Sequence, residues 1–171
     1  MIDFESMVED SHNNQYFNRY VRKIDEIMSI KHIIPWELYG INTPFDLTVN
    51  ELNFEIKIQF CLPDRIALEQ FTDHNNKILG WVHKLRENGV DIVLFFYPNT
   101  DNYIAVYAQD LYDWWMVNSD KYQIIKNKVT KHNDSIWQSS FSWVYLSDLP
   151  KNSIWYSNID RKEKGLENWY S

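Results

Sequence analysis

Hydrophobic and polar residues repeat with two different periods along this chain, and each period predicts a different secondary structure. Over 14–29, apolar residues recur every three or four positions, which is typical of one face of an amphipathic α-helix. After Pro35 the period becomes two, because apolar and polar residues alternate over 45–49 and again over 54–60. This alternation predicts two β-strands with one buried face each, joined by a short hairpin loop at 50–53.

The second half of the chain begins with a further helical pattern over 75–88, which Asn88 and Gly89 are expected to end. The next segment, 90–97, contains a continuous apolar run. It predicts a strand buried on both faces, in the centre of a sheet covered by helices. This strand is expected to form a hairpin with a strand over 103–107. Weaker patterns predict an α-helix over 110–117, a basic helix over 120–131 and a strand over 141–146.

The order of these elements predicts the fold class. Helix, strand, strand, helix, strand, strand is the order of an α/β or α+β protein, in which helices flank a central mixed sheet. The 171 residues are the length of one domain. We therefore expect a single domain over 1–171, with a core over about 14–107 and C-terminal additions over about 108–171.

Composition excludes some functions and leaves others open. Hydrophobic residues make up 44% of the chain, which is too much for a disordered protein. The 17 basic and 24 acidic residues give a net charge of −7, which argues against coating nucleic acid through bulk charge but allows a local basic cleft. None of the four glycines belongs to a glycine-rich phosphate loop, so nucleotide binding by such a loop is not expected.

Cysteine content and hydropathy bear on the compartment. The one cysteine, Cys61, cannot form an internal disulfide, which predicts a reducing, cytoplasmic environment. No apolar run approaches the roughly 20 residues of a membrane span, so no membrane association is expected. The first ten residues carry four acids and no basic residue, unlike a secretory signal.

The residues that carry chemistry lie on the two predicted strands. Period-two alternation puts Glu55, Lys57 and Gln59 on one face, and the neighbouring strand can bring Asp46 beside Glu55, with Cβ atoms ~5 Å apart. Two carboxylates this close raise each other's pKa unless a cation lies between them. Mg²⁺ takes oxygen ligands and keeps several waters, so the pair suits a catalytic Mg²⁺. The ammonium of Lys57 could then activate water and stabilise charge on a phosphate, which indicates phosphodiester hydrolysis.

Asp46 and Glu55-Ile56-Lys57, on adjoining strands behind an amphipathic helix, resemble the PD-(D/E)XK nuclease superfamily, which includes restriction, homing, junction-resolving and repair nucleases. The resemblance covers about 14–107. It implies a restriction-endonuclease-like core: a helix, a three-stranded meander, a helix and a further strand or two. Pro44 departs from the family name, because Phe45 separates it from the aspartate.

The resemblance also implies an activity and roles for residues. The protein would be an Mg²⁺-dependent endonuclease that hydrolyses DNA phosphodiester bonds, with Mn²⁺ able to substitute. Asp46 and Glu55 would bind the metal, Lys57 would assist the water and the transition state, and Gln59 would orient the water or the lysine. Some branches carry an additional acid, for which the chain offers four candidates that stay open: Glu9, Asp25, Glu26 and Glu37.

DNA contacts and oligomeric state are further expectations. The candidates for contact with backbone phosphates, which are equally well explained as solvated helix faces, are Arg19, Arg22, Lys23, Lys121, Lys126 and Lys128. A C₂ homodimer would let two sites cut two strands. Trp114 and Trp115 could stack on bases or form that interface, although core packing is the more ordinary interpretation.

Three alternatives to a nuclease remain at this stage. One is a catalytically inactive module that binds nucleic acid or protein through the same fold. Another is a protein-interaction module of a mobile element or phage, suggested by the acidic charge and by aromatic residues that could lie on the surface. The third is an ordinary exposed sheet face, on which Glu55 and Lys57 are surface charges. The sequence also leaves open whether the substrate is DNA or RNA, which sequence is recognised, and whether the role is restriction, homing or junction resolution.

Overall fold

A computed structural model describes residues 19, 22–24, 26–27, 36–37, 46–49, 51–132 and 135–159. The described residues among 19–27 are helical, and we call them the N-terminal helical segment. One longer α-helix, α1, spans Ala108–Asn118. The strands, in chain order, are β1 (Trp36–Glu37), β2 (Leu47–Val49), β3 (Leu52–Ile58), β4 (Arg65–Asp73), β5 (Ile78–Leu79), β6 (Ile92–Tyr97), β7 (Asn102–Tyr107), β8 (Ile125–Lys126), β9 (Thr130–His132), β10 (Ser135–Trp137), β11 (Ser140–Tyr145) and β12 (Ile154–Ser157).

The main element is a six-stranded mixed sheet in the order β1-β2-β3-β6-β7-β12. β1, β2 and β3 are antiparallel, β3 is parallel to β6, and β6 forms an antiparallel hairpin with β7. The predicted strands and the hairpin of 90–97 with 103–107 are therefore confirmed, apart from residue 45, which lies outside the described residues. The loop between β2 and β3 is shorter than predicted, because Leu52 already pairs with Val49. Glu51 makes the tight turn with φ at 66°.

β6 is buried on both faces, as its apolar run predicts. All six of its residues are buried. Leu94 and Phe96 face a core cluster that includes Ile24 and Ile27 of the N-terminal helical segment. Phe95, on the opposite face, belongs to a second core cluster. Because each face of the sheet is apolar, each must be covered by another layer.

The second face is covered mainly by another sheet, where the sequence predicts helices. This sheet has the order β5-β4-β11-β8, and Ile66, Leu68 and Val144 of β4 and β11 pack into the core cluster that contains Phe95. Helix α1 completes the layer. The hydroxyl of Tyr97 donates a hydrogen bond to the backbone oxygen of Arg65 at 2.9 Å, which ties the two sheets together.

The helix predicted over 75–88 is wrong. The chain turns after β4, forms β5 and then a 3-10 helix over Trp81–Lys84. Asp73 fixes the turn, because its carboxylate accepts hydrogen bonds from the backbone of Asn75 and Asn76. The helical pattern places Ile78 on the buried face of the predicted helix, but in the structure Ile78 is 49% exposed. The local turn chemistry therefore outweighs the weak helical period.

The basic helix predicted over 120–131 is also wrong. The segment contains a 3-10 helix over Ser119–Lys121, β8 and part of a β9–β10 hairpin. It has no apolar stripe to bury, since Ile124 and Val129 are 44% and 50% exposed. By contrast, α1 confirms the helix predicted over 110–117, and β11 confirms the strand predicted over 141–146.

The protein is thus a mixed α/β domain with few helices in its described part. None of the helices that the structure describes combines the length and the apolar character needed to cross a lipid bilayer.

Candidate active site

The antiparallel pair β2–β3 places Asp46 beside Glu55. Asp46 lies directly before β2, and its backbone N–H donates to the oxygen of Phe54 at 2.9 Å. Because Leu47 pairs with Phe54, Glu55 is the residue opposite Asp46. The carboxylate Oδ2 of Asp46 accepts the backbone N–H of Ile56 at 2.7 Å, which holds this side chain against β3.

Lys57 lies next to these two carboxylates. Its ammonium forms an ion pair with Oε1 of Glu55, and the two side chains are 24% and 14% exposed. Both residues alternate with the buried Phe54 along β3, so they lie on the face of the sheet that also carries Phe95. The Nζ atom of Lys57 is 4.9 Å from the ring centroid of Trp81. The site therefore lies at the margin between the two sheets.

A third carboxylate, Glu69 of β4, also contributes to the site. Its Oε2 accepts the backbone N–H of Trp81 at 3.2 Å and the hydroxyl of Thr72 at 3.1 Å. Its charge helps to raise the pKa of both Glu55 and Lys57. Neither Glu69 nor Trp81 is among the site residues predicted from the sequence, although the alternation of Ile66 and Leu68 was a usable signal for β4.

Burial and neighbouring charges shift the pKa values within this cluster. Burial raises the pKa of Glu55 above its ordinary value; Lys57 opposes this shift, while Asp46 and Glu69 add to it. Burial acts to lower the pKa of Lys57, but the charges of Glu55, Asp46 and Glu69 outweigh it, so this pKa is raised. Lys57 is therefore a charged ammonium at neutral pH, surrounded by three acidic groups.

The substitution Lys57→Met is expected to make stability depend on pH. Without the ammonium, burial and the charges of Asp46 and Glu69 raise the pKa of Glu55 further. A raised pKa favours the folded state below the pKa of the unfolded chain, and this contribution is lost as pH rises through the folded-state value. We expect a loss of about 2 kcal/mol at pH 8 and a smaller loss at pH 5, measured by urea denaturation.

The matched control for this prediction is the double variant Lys57→Met/Glu55→Gln. It has no ionisable group at position 55, so its loss of stability relative to the wild type should vary much less between the two pH values. Equal losses for the single variant at pH 5 and pH 8 would contradict the assigned contact between Lys57 and Glu55.

Gln59 has a different environment from the other predicted site residues. It is 7% exposed, and its Oε1 accepts the backbone N–H of Ala67 at 3.1 Å. Its own backbone N–H donates to the oxygen of Phe96 at 2.8 Å. These bonds connect the end of β3 to β4 and to β6. The role of Gln59 in orienting water or lysine stays a prediction.

The donor set can be compared with what Mg²⁺ requires. Within the described ranges, no group of three or more His, Cys, Asp or Glu side chains is arranged to hold a metal ion. Mg²⁺ is, however, commonly bound through one or two carboxylates with waters and substrate phosphate. In the part of the chain that the structure describes, Asp46 Oδ1 and Glu55 Oε2 accept no hydrogen bond. The pair of carboxylates therefore fits a hydrated Mg²⁺.

Of the four candidates for an additional acid, the structure describes the side chain of Glu26 alone, and this side chain does not join the pair. Glu26 is 48% exposed and lies near Lys23, on the helical segment that covers the opposite face of the sheet. Glu37 is in β1, and its side chain is outside the described residues, as are Glu9 and Asp25.

The predicted phosphate-binding cations belong to other elements. Arg19 donates to Pro98 and pairs with Asp101 at 3.1 Å, and Lys23 pairs with Asp101 at 2.6 Å. These bonds hold the N-terminal helical segment against the β6–β7 turn. The same bonds compete with any contact between these two cations and phosphate. Lys121 donates to Asn118 at 2.6 Å. The remaining candidates are exposed: Arg22, Lys126 and Lys128.

The two tryptophans considered for base stacking or for a dimer interface are part of the core layer. Trp115 is 0% exposed and packs in the cluster that contains Phe95, so it cannot reach a base or a second subunit. Trp114 is partly buried, 6.1 Å from the Trp115 ring and 5.8 Å from the Tyr122 ring. Core packing is thus confirmed for Trp115.

Comparisons with known proteins do not extend this description. No protein-family model matches the chain, and neither the curated proteins nor the solved structures provide a match.

Proposed function

We propose that this protein is a metal-dependent endonuclease that hydrolyses phosphodiester bonds within DNA strands. The observation that carries this proposal is the juxtaposition of Asp46 and Glu55 on adjoining strands, with the ammonium of Lys57 bound to Glu55 on the same face. Two carboxylates can hold a hydrated Mg²⁺, and an adjacent ammonium can orient water and stabilise charge on a phosphate, so this set of groups suits phosphodiester hydrolysis.

The sheet topology supports a restriction-endonuclease-like core. The preceding helical segment and the antiparallel order β1-β2-β3 agree with the helix and the three-stranded meander that the resemblance implies, and β6, parallel to β3, would be the further strand. One feature differs. The connection from β3 to β6 passes through β4, β5 and a 3-10 helix, where that arrangement has an α-helix.

Each residue has a distinct part in the proposed reaction. Asp46 and Glu55 would hold Mg²⁺, or Mn²⁺ in its place, and the bound ion would supply Lewis-acid activation of the scissile phosphate and of water. Asp46 is oriented for this by the N–H of Ile56. Lys57 would orient the attacking water and stabilise the additional negative charge on the phosphate in the transition state.

Cleavage of supercoiled plasmid DNA tests the proposal. Purified full-length protein should convert supercoiled DNA to the nicked form in Mg²⁺ or Mn²⁺, and excess EDTA should abolish the conversion. A twofold dimer, which we also propose, should produce linear DNA at the same time as nicked DNA. A parallel assay with labelled RNA of the same sequence identifies the preferred polymer. No metal-dependent cleavage of either polymer would contradict the proposal.

A second candidate is a binding module that has the same fold but no catalysis. The ion pair favours it, because Lys57 already occupies Oε1 of Glu55. Such a module should bind DNA with an affinity that falls as salt rises, if it contacts phosphates, and should leave the plasmid supercoiled in Mg²⁺. The plasmid assay therefore separates the two candidates.

A further inference from the structure

The indole of Trp81 contacts two neighbouring residues of the central sheet. Lys57 and Phe95 are paired across the parallel strands β3 and β6, so their side chains lie side by side on one face. The Trp81 ring lies 4.9 Å from Lys57 Nζ and 6.0 Å from the Phe95 ring. An ammonium at this distance from an indole face is attracted by the negative potential of the ring.

The backbone of Trp81 is held against the second sheet. Its N–H donates to Glu69 Oε2 at 3.2 Å, and the N–H of Gly80 donates to the oxygen of Gln70 at 2.9 Å. Gly80 approaches β4 so closely that a Cβ atom there would lie 2.2 Å from the backbone oxygen of Glu69. The start of the 3-10 helix is therefore fixed to β4, and with it the position of the indole.

A lysine side chain needs such support to act in a defined direction. Its ammonium is attached through four flexible carbons and makes hydrogen bonds without a fixed geometry. The ammonium of Lys57 forms an ion pair with Glu55 and lies over the ring of Trp81. Together these contacts leave Lys57 a restricted set of positions, next to the two carboxylates that would hold the metal.

We propose that Trp81, held by Glu69, is a positioning residue that keeps the Lys57 ammonium in place for the reaction. This inference rests on the proposed nuclease function for its catalytic consequence, but the placement of Lys57 can be measured without it. Trp81 acts through Lys57, so its loss should reduce kcat and leave KM for DNA unchanged.

Two readouts on the full-length protein test this inference. In NMR spectra of ¹³C-lysine-labelled protein at one fixed pH, the ε-methylene protons of Lys57 should be shifted upfield by the ring current of Trp81. Trp81→Leu should abolish this shift and lower kcat about tenfold, whereas Trp81→Phe should retain part of the shift and most of the activity. The Lys57→Met spectrum assigns the signal.

Matched variants separate positioning from general structural damage. Trp143→Leu removes another partly buried indole, on β11, and should leave the Lys57 signal and kcat unchanged. Glu69→Gln keeps an acceptor for the Trp81 N–H and should preserve the upfield shift of the Lys57 signal. Glu69→Leu removes this acceptor and should reduce the shift. If Trp81→Leu fails to fold, Trp81→Phe and the two Glu69 variants still test whether Trp81 positions Lys57.

Different outcomes would overturn the positioning role of Trp81 and the proposed nuclease activity. A Lys57 signal that is the same in Trp81→Leu as in the wild type, or a higher KM with unchanged kcat, would overturn the positioning role. An absence of wild-type cleavage would contradict the nuclease, and the NMR shift would still confirm or refute the placement of Lys57 by Trp81.

Discussion

Lys57→Met should lower the rate of Mg²⁺-dependent plasmid cleavage by about 10²- to 10³-fold, the size of effect seen when one group that stabilises transition-state charge is removed. Methionine has an unbranched side chain one heavy atom shorter than that of lysine, and it lacks the ammonium. Because Lys57 is not a metal ligand in the proposed site, the Mg²⁺ concentration that gives half-maximal rate should change little. Initial nicking rates measured across a Mg²⁺ titration provide both numbers.

The proposed metal ligands should behave differently in the same titration. Asp46→Asn and Glu55→Gln remove a charged ligand, so each should raise the Mg²⁺ concentration required as well as lower the maximal rate. Exposed residues of the same types give the matched controls: Lys151→Met and Glu87→Gln should retain wild-type rates. Equal cleavage by Lys57→Met and Lys151→Met would show that the observed activity does not come from this site.

Phe95→Ala should lower the free energy of unfolding by about 3–5 kcal/mol, which is a large part of the total stability of a typical domain. Phe95 is 0% exposed and lies in the centre of β6, on the face covered by the second sheet. Removing its ring leaves a cavity between two sheets, which cannot collapse without breaking their packing. Equilibrium unfolding in urea measures the loss.

Phe60→Ala provides the matched control for this prediction. Phe60 follows β3 and is 63% exposed, so the same substitution there should cost less than about 1 kcal/mol. Similar losses at positions 60 and 95 would show that β6 does not lie between two covering layers.

The sequence predicts well those elements whose hydrophobic pattern shows directly which faces of a single strand are buried. The alternation of Phe54 and Ile56 with Glu55 and Lys57 predicts both β3 and the face on which the charges lie. The continuous run of β6 predicts burial on both faces, because such a strand is stable only in the centre of a covered sheet. The segment 75–88 failed because its few apolar residues fit a helical period by chance, while Asp73 and Gly80 impose a turn and a close approach.

The candidate site shows the same division between local and distant information. Period-two geometry was sufficient to place Asp46, Glu55 and Lys57 together, since all three lie on one hairpin. Trp81 lies 24 positions beyond Lys57 in the chain and contacts it only because Glu69 of the second sheet holds the backbone of Trp81, and the packing of that sheet on the first is not a local property. Gln59 is a further example. It shares the face of Lys57, but its amide oxygen accepts a hydrogen bond from the backbone N–H of Ala67, a contact that depends on the second sheet.

The sequence by itself thus determined the β2–β3 hairpin, the buried central strand and the three charged groups of the candidate site, because alternation along a strand is a local property. Only the tertiary structure decided that a second sheet, and not a helix, covers the charged face, and that Trp81, held by Glu69, contacts Lys57. These contacts depend on which apolar surfaces pack together, and that choice is made by the whole core and not by any one segment.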